Sequence, residues 1–117
     1  MHEFLLASMI VRTALNEGAK HRARRIKKVY LSVGDFAMIN KEQIMFWVKE
    51  GLKIRTGFVC DVVINSIPVR IKCNECGYEG RPAEFHFGIA QCPYCGSLDC
   101  DLIEGTECKI EKIEIEI

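Results

Sequence analysis

Cys73-Asn74-Glu75-Cys76-Gly77 and, after 15 intervening residues, Cys92-Pro93-Tyr94-Cys95-Gly96 decide how this chain is read. A Cys-x-x-Cys turn presents two sulfurs to one point, and the glycine that follows lets the chain curl back with backbone N–H groups aimed at sulfur. Two such turns make a tetrahedral four-cysteine site at the spacing of a zinc ribbon. Zn(II) on Cys73, Cys76, Cys92 and Cys95 is the expected occupant, and iron in a rubredoxin-like site would accept the same ligands. Four thiolates close the coordination shell and leave no position for water, so the site is structural rather than hydrolytic. A module this small has little core of its own, and metal binding supplies its folding energy.

The rest of the chain sets the context. It has 117 residues, 49% of them hydrophobic and 27% charged, which suits one ordinary domain carrying a smaller module. No apolar run approaches the roughly 20 residues of a membrane span. Met1 is followed at once by His2 and Glu3, with no basic n-region, so the reading is a cytoplasmic protein without a signal peptide. The 7 cysteines are an odd number, which with no export signal favours metal binding over a disulfide framework. Cys60 and Cys108 fall in strand patterns and read as buried thiols; Cys100, just past the second pair, is either packed or a spare ligand. Net charge is zero, but residues 1–60 carry 11 Lys+Arg against 5 Asp+Glu and residues 61–117 carry 5 against 11, so the halves are +6 and −6. Such a contrast serves folding, dimerisation or the orientation of a partner.

Hydrophobic spacing orders the elements. Phe4, Ala7, Val11, Ala14 and Leu15 predict a helix over 4–18, ended by Gly18. Val29, Leu31 and Val33 alternate with Tyr30 and Ser32 as a strand ending at Gly34-Asp35. Asn40 with Gln43 forms a capping pair for a second helix whose apolar stripe is Ile44, Trp47, Val48 and Leu52 and whose end is bracketed by Gly51 and Gly57. Residues 59–71 read as one longer strand, interrupted at Pro68. In the last strand Cys108 and Ile110 share one parity and Ile113, Ile115 and Ile117 the other, which predicts a bulge or bend near Glu111-Lys112. The fold class is therefore α+β: a small sheet of about three strands with two helices, and an inserted four-cysteine ribbon. Residues 1–71 and 101–117 form the α/β domain and residues 72–100 the zinc-binding domain.

The terminus carries a second metal signature. Histidine is too bulky at position 2 for methionine removal, so Met1 is retained. The Met1 amine, the His2 amide nitrogen and its imidazole Nδ1 can then chelate one ion in fused five- and six-membered rings. Planar nitrogen ligation suits Ni(II) or Cu(II). The ordinary reading is a solvated start, with Glu3 merely favourable to the helix dipole. His86, in Phe85-His86-Phe87, is a packed or surface histidine or a fourth ligand for the terminal site; His21 is solvated. The basic run over residues 21–28 could contact phosphates, but it lacks the exposed aromatics that RNA modules use for stacking. No Walker-type phosphate loop and no nucleophile elbow is present, so nothing supports nucleotide hydrolysis or acyl transfer.

Taken together these residues resemble the HypA/HybF family, the nickel metallochaperones of nickel–iron hydrogenase maturation. The likeness runs from Met1-His2-Glu3 through Val33-Gly34-Asp35-Phe36, the Gly57 turn and both cysteine pairs to Gly105-Thr106-Glu107. The resemblance implies a carrier rather than an enzyme. Ni(II) would be held through His2 with the Met1 amine and nearby backbone nitrogens, with Glu3 among the binding residues and His86 as a possible further ligand. Zn(II) would sit on the four cysteines. The implied partners are the GTPase HypB and the hydrogenase large subunit, with the chain a monomer or dimer, no membrane, and nucleic acid unexpected. The alternative is a zinc-ribbon nucleic-acid-binding module using residues 21–28.

Overall fold

The structure, a computed structural model, describes residues 2–37, 39–86 and 89–117. Among them the elements run α1 (His2–Lys20), β1 (Arg25–Gly34), a 3-10 turn (Asp35–Ala37), α2 (Lys41–Thr56), β2 (Asp61–Ile67), β3 (Arg70–Cys73), β4 (Glu79–Gly80), β5 (Glu84–His86), β6 (Ile89–Gln91), β7 (Cys100–Glu104) and β8 (Cys108–Glu116). They fall into two compact units. One holds residues 1–32, 39–65 and 109–117; the other holds 33–38 and 66–108.

The first unit is two helices with the three-stranded sheet β2-β1-β8. Helix α1 buries Ala7, Ile10, Val11 and Ala14, and α2 buries Ile44, Val48 and Leu52, each at the three- and four-residue spacing of one helical face. The sheet adds Ile26, Val29, Leu31 and Val62, and Cys60 just before β2 is buried with them. Asn40 caps α2 as its sequence implies: its side-chain oxygen accepts from the Gln43 N–H at 3.1 Å. Gly57, at the other end, sends its N–H to the Lys53 carbonyl at 2.8 Å. Gly51 does not mark the end of α2. It lies inside the helix, where a Cβ would come within 2.8 Å of Val11 Cγ2, and the missing side chain lets α1 and α2 approach. Phe4 and Trp47 are also not core residues. They are 49% and 38% exposed and pack on each other edge-to-face at 5.0 Å, with Phe46 against Trp47 at the same distance.

The basic run meets the acidic tail in this unit. The Arg24 N–H donates to the Glu116 carbonyl at 2.6 Å, the Arg25 guanidinium lies 3.7 Å from the Glu116 carboxylate, Tyr30 Oη donates to Glu114 at 2.7 Å, and Ser32 Oγ donates to Glu111. Numbers rise along β1 as they fall along β8, so the two strands are antiparallel. The change of parity expected near Glu111-Lys112 is present: Glu111 and Lys112 are both exposed, between half-buried Ile110 and Ile113. A matching break on β1 separates buried Ile26 from buried Val29.

Residues 59–71 are not one strand. β2 ends at Ile67, and β3 starts at Arg70 in a different sheet, β4-β3-β7, so Pro68 marks a passage between sheets rather than a local irregularity. The second unit packs Phe36, Tyr78, Phe85, Cys100 and Leu102 around Val69, Ile71 and Ala90, with β5 and β6 as a separate antiparallel pair. Two short motifs meet in it. The Gly34 N–H donates to the Glu107 carbonyl at 2.8 Å and the Phe36 N–H to the Gly105 carbonyl at 3.0 Å. At Gly105 a side chain would strike the Pro68 backbone, its oxygen lying 2.7 Å from the Cβ position.

Gly51→Ala should destabilise the first unit by about 1–3 kcal/mol, because the added methyl overpacks the branched Val11 side chain. Urea denaturation of the variant checks this, and Val11→Ala in the same chain should restore part of the loss.

Candidate metal centre

Each cysteine pair sits where a strand gives way to a turn. Cys73 is the last residue of β3 and Cys76 closes the turn over 74–76; Cys92 directly follows β6 and Cys95 closes the turn over 93–95. The two turns repeat one hydrogen-bond scheme. The Gly77 N–H returns to the Cys73 carbonyl and the Gly96 N–H to the Cys92 carbonyl, both at 3.0 Å. The Cys73 N–H donates to the Tyr78 carbonyl at 2.8 Å, and the Cys92 N–H to the Ser97 carbonyl at 2.9 Å. Both glycines adopt left-handed φ, 80° and 74°, a conformation that costs other residues energy. The rings of Tyr78 and Tyr94 stack edge-to-face at 5.1 Å.

This geometry brings four sulfurs together. The Cys73, Cys76, Cys92 and Cys95 Sγ atoms all lie within 4.8 Å of one another, Cys73 with Cys95 at 3.5 Å and Cys76 with Cys92 at 3.6 Å. Tetrahedral bonds of about 2.3 Å from one ion to four sulfurs require sulfurs about 3.8 Å apart, so the donor set fits such an ion. Cys73 and Cys92 are buried, and Cys76 and Cys95 are exposed. The chain also aims N–H groups at sulfur, as the glycine turns imply: Cys76 N–H to Cys73 Sγ at 3.5 Å and Tyr94 N–H to Cys92 Sγ at 3.4 Å. The Cys76 N–H, joined by that of Glu75, outweighs burial and holds the Cys73 thiol down at about 6. At Cys92 burial raises the pKa, but the N–H groups of Cys95 and Tyr94 more than offset it and leave it lowered.

The other candidates are placed as follows. Met1 lies outside the described residues, as do the side chains of His2 and His86. His2 does not precede the helix; it is the first residue of α1. Glu3 Oε1 accepts the Asn40 N–H at 3.3 Å, so it reaches the start of α2 as well as favouring its own helix dipole. Its own N–H and that of Asn40 lower its carboxyl pKa. An open groove of about 750 Å³ beside it is lined by Phe4, Asn40, Glu42, Gln43, Phe46 and Trp47. Cys60 is buried, Cys100 and Cys108 half-buried. Sequence reading did not find that Cys100 faces Cys73 across the β3–β7 pair, because that depends on register between segments 27 residues apart.

The depressed Cys73 value gives the centre a pH dependence. Its folded value lies below the ordinary 9.0, so the stabilisation of the thiolate is complete above the ordinary value and lost as pH falls through about 6. Protons compete with a metal ion for the four thiolates, so a divalent ion loaded on the cysteines should be retained at pH 7 and released with proton uptake as the solution is acidified. A chromogenic chelator measures the release; half-release above pH 7 would contradict the assignment.

Comparison with known proteins agrees with this architecture. A family model described as HypA, hydrogenase/urease nickel incorporation, metallochaperone, matches residues 1–115. The chain is 36% identical to the hydrogenase maturation factor HypA of Methanothermobacter thermautotrophicus, covering 99% of this chain and 98% of that one. It is 30% identical to the HypA of Pyrococcus abyssi, covering 99% and 96%. Its fold is similar to the solution structure of a HypA protein, with a TM-score of 0.68 at 19% identity over 98% and 96% of the two chains. It is also similar to that of the nickel metallochaperone HypA from Helicobacter pylori, with a TM-score of 0.62 at 19% identity over 97% of each. No described helix is long and apolar enough to cross a membrane. The chain belongs to the HypA family of hydrogenase and urease nickel-incorporation metallochaperones.

Proposed function

We propose that this chain carries Ni(II) at its N-terminus and delivers it, with the GTPase HypB, to the large subunit of a nickel–iron hydrogenase in the cytoplasm, while Zn(II) on Cys73, Cys76, Cys92 and Cys95 is structural. The family match over residues 1–115 carries the reading. The nickel ligands in this proposal are the Met1 amine, the His2 amide nitrogen and imidazole Nδ1, with Glu3 beside them and His86 as an additional donor on which the proposal does not depend. The fold favours the chelate at one point. The first N–H groups of a helix have no partner in their own helix, and α1 begins at His2, so metal binding at the His2 nitrogen breaks no helical hydrogen bond.

The chain performs no catalysis in this reading. Its tetrathiolate shell has no open position, and the terminal site has to release its ion. Protonation offers a means. Unperturbed α-amines titrate at roughly 7.7–8.0 and imidazoles at roughly 6.5, so acidification weakens donors of both kinds. The alternative, nucleic-acid contact through residues 21–28, is less well supported. Arg25 is drawn to Glu116 and lies over the Phe58 ring at 5.4 Å, and Lys28 lies over Tyr30 at 5.1 Å.

His2→Ala tests the reading. Alanine is a better helix former than histidine, so the helix signal, the fold and the zinc content should be unchanged. Nickel affinity should fall about 100-fold or more, since losing even an outer-shell partner of a metal ligand reaches that size. Calorimetric nickel titration, with a spectroscopic readout of planar geometry, measures it. An unchanged affinity and spectrum in the variant would move the site to His86 or a cysteine.

A further inference from the structure

One thiol at the metal centre is not a ligand. β3 and β7 run antiparallel with Cys73 directly opposite Cys100, and Lys72 opposite Asp101. One step outward, the Asn74 N–H donates to the Asp99 carbonyl at 3.0 Å, so 74 and 99 form a hydrogen-bonded pair. The adjacent pair, Cys73 with Cys100, is then of the non-hydrogen-bonded kind. In such a pair the Cα atoms stand about 4.5 Å apart and the side chains approach most closely. A disulfide spans Cα separations of about 4.4–6.8 Å, so this pair can be bridged with little backbone movement. Directly opposed residues share a face of the sheet, so the Cys73 and Cys100 side chains lie side by side on one face. It is half-buried against Val69, Ile71 and Ala90, and its Sγ lies 3.6 Å from the Ser97 carbonyl oxygen.

We propose that Cys73 and Cys100 are a redox pair: a peroxide joins them as a cross-strand disulfide, which removes Cys73 from the metal shell and expels the ion. The Cys100 sulfur attacks one oxygen of hydrogen peroxide, the O–O bond breaks, and water leaves with the thiol proton, giving a sulfenic acid. The Cys73 sulfur, giving up its bond to the metal, attacks the Cys100 sulfur. The S–O bond breaks, the departing hydroxide takes up a proton from a buffer acid to become the second water, and the S–S bond forms. Two sulfurs have lost one electron each, and the peroxide has been reduced to two waters. Three thiolates remain for the ion, one coordination position opens, and the metal dissociates. A dithiol reductant reverses the linkage by exchange. Cys100 thereby makes metal retention depend on oxidant. The inference rests on the four-cysteine centre and is independent of where nickel binds.

The test uses the full chain loaded with one equivalent of zinc and treated with hydrogen peroxide. Released zinc is followed with a chromogenic chelator, and disulfides are mapped after alkylation. Cleavage after Lys72, Glu75 and Glu84 and before Asp99 and Asp101 places Cys73, Cys76, the Cys92–Cys95 segment and Cys100 on separate peptides. Cys73–Cys100 should be the dominant linkage, formed in step with zinc release, and Cys100→Ser should release zinc several-fold more slowly. Dominance of Cys73–Cys76, Cys92–Cys95 or cross-turn linkages in the unmodified chain would overturn the proposal. So would equal release from a Cys100→Ser chain that holds zinc normally before treatment. If that variant takes up no zinc, the linkage map of the unmodified chain decides alone.

Discussion

Thiolates drawn to one point repel one another, and the second unit is built around relieving that repulsion. Sulfur atoms 3.5 and 3.6 Å apart cannot all be ionised cheaply without a cation among them. The chain does part of the work itself, by turning the N–H groups of Cys76 and Tyr94 towards the two buried sulfurs. A divalent ion on the four sulfurs would do the remainder. The strand ends, the left-handed glycines and the paired tyrosine rings all hold those four atoms in place. Only Cys73 and Cys92 are buried, so the centre is anchored on its inner side and open at Cys76 and Cys95.

The first unit solves a different problem, that of fastening the end of the chain to its beginning. The halves of the sequence differ by twelve charges, from +6 to −6. Part of that contrast meets where β1 runs beside β8: Arg25 pairs with Glu116, while the Tyr30 and Ser32 hydroxyls donate to Glu114 and Glu111. Half-exposed ion pairs of this kind contribute under about 1 kcal/mol each, so their value lies more in register than in stability. Backbone bonds and the buried row of Ile26, Val29 and Leu31 supply the stability.

Local signals were legible in the sequence and long-range ones were not. Both cysteine turns, the Asn40 cap, the Gly57 stop and the parity change on β8 depend on neighbours within a few residues, and each stands where its spacing implied. The 59–71 stretch misled because β-rich composition does not say which sheet a strand joins. Its two halves, β2 and β3, belong to different sheets. Phe4 and Trp47 sit at helical spacing beside true core residues, yet they cover each other at the surface, since a stripe wider than its partner face leaves residues at its margin. Gly51 looked like a stop and is a crossing point, a role that only the position of Val11 reveals. Gly34-Asp35 reads as a strand end and Gly105-Thr106-Glu107 as a mark of family likeness, but only the structure shows that their segments hydrogen-bond to each other.

The proposed nickel chelate depends on the free amine at Met1. A few residues added before Met1 would displace His2 from the terminus, convert the amine to an amide and break the fused chelate. They would leave the sulfur centre untouched. Metal analysis and nickel titration of the extended and unextended chains, side by side, should show one zinc per chain in both and nickel affinity in the unextended chain alone. Equal nickel affinity in the extended chain would contradict the terminal site.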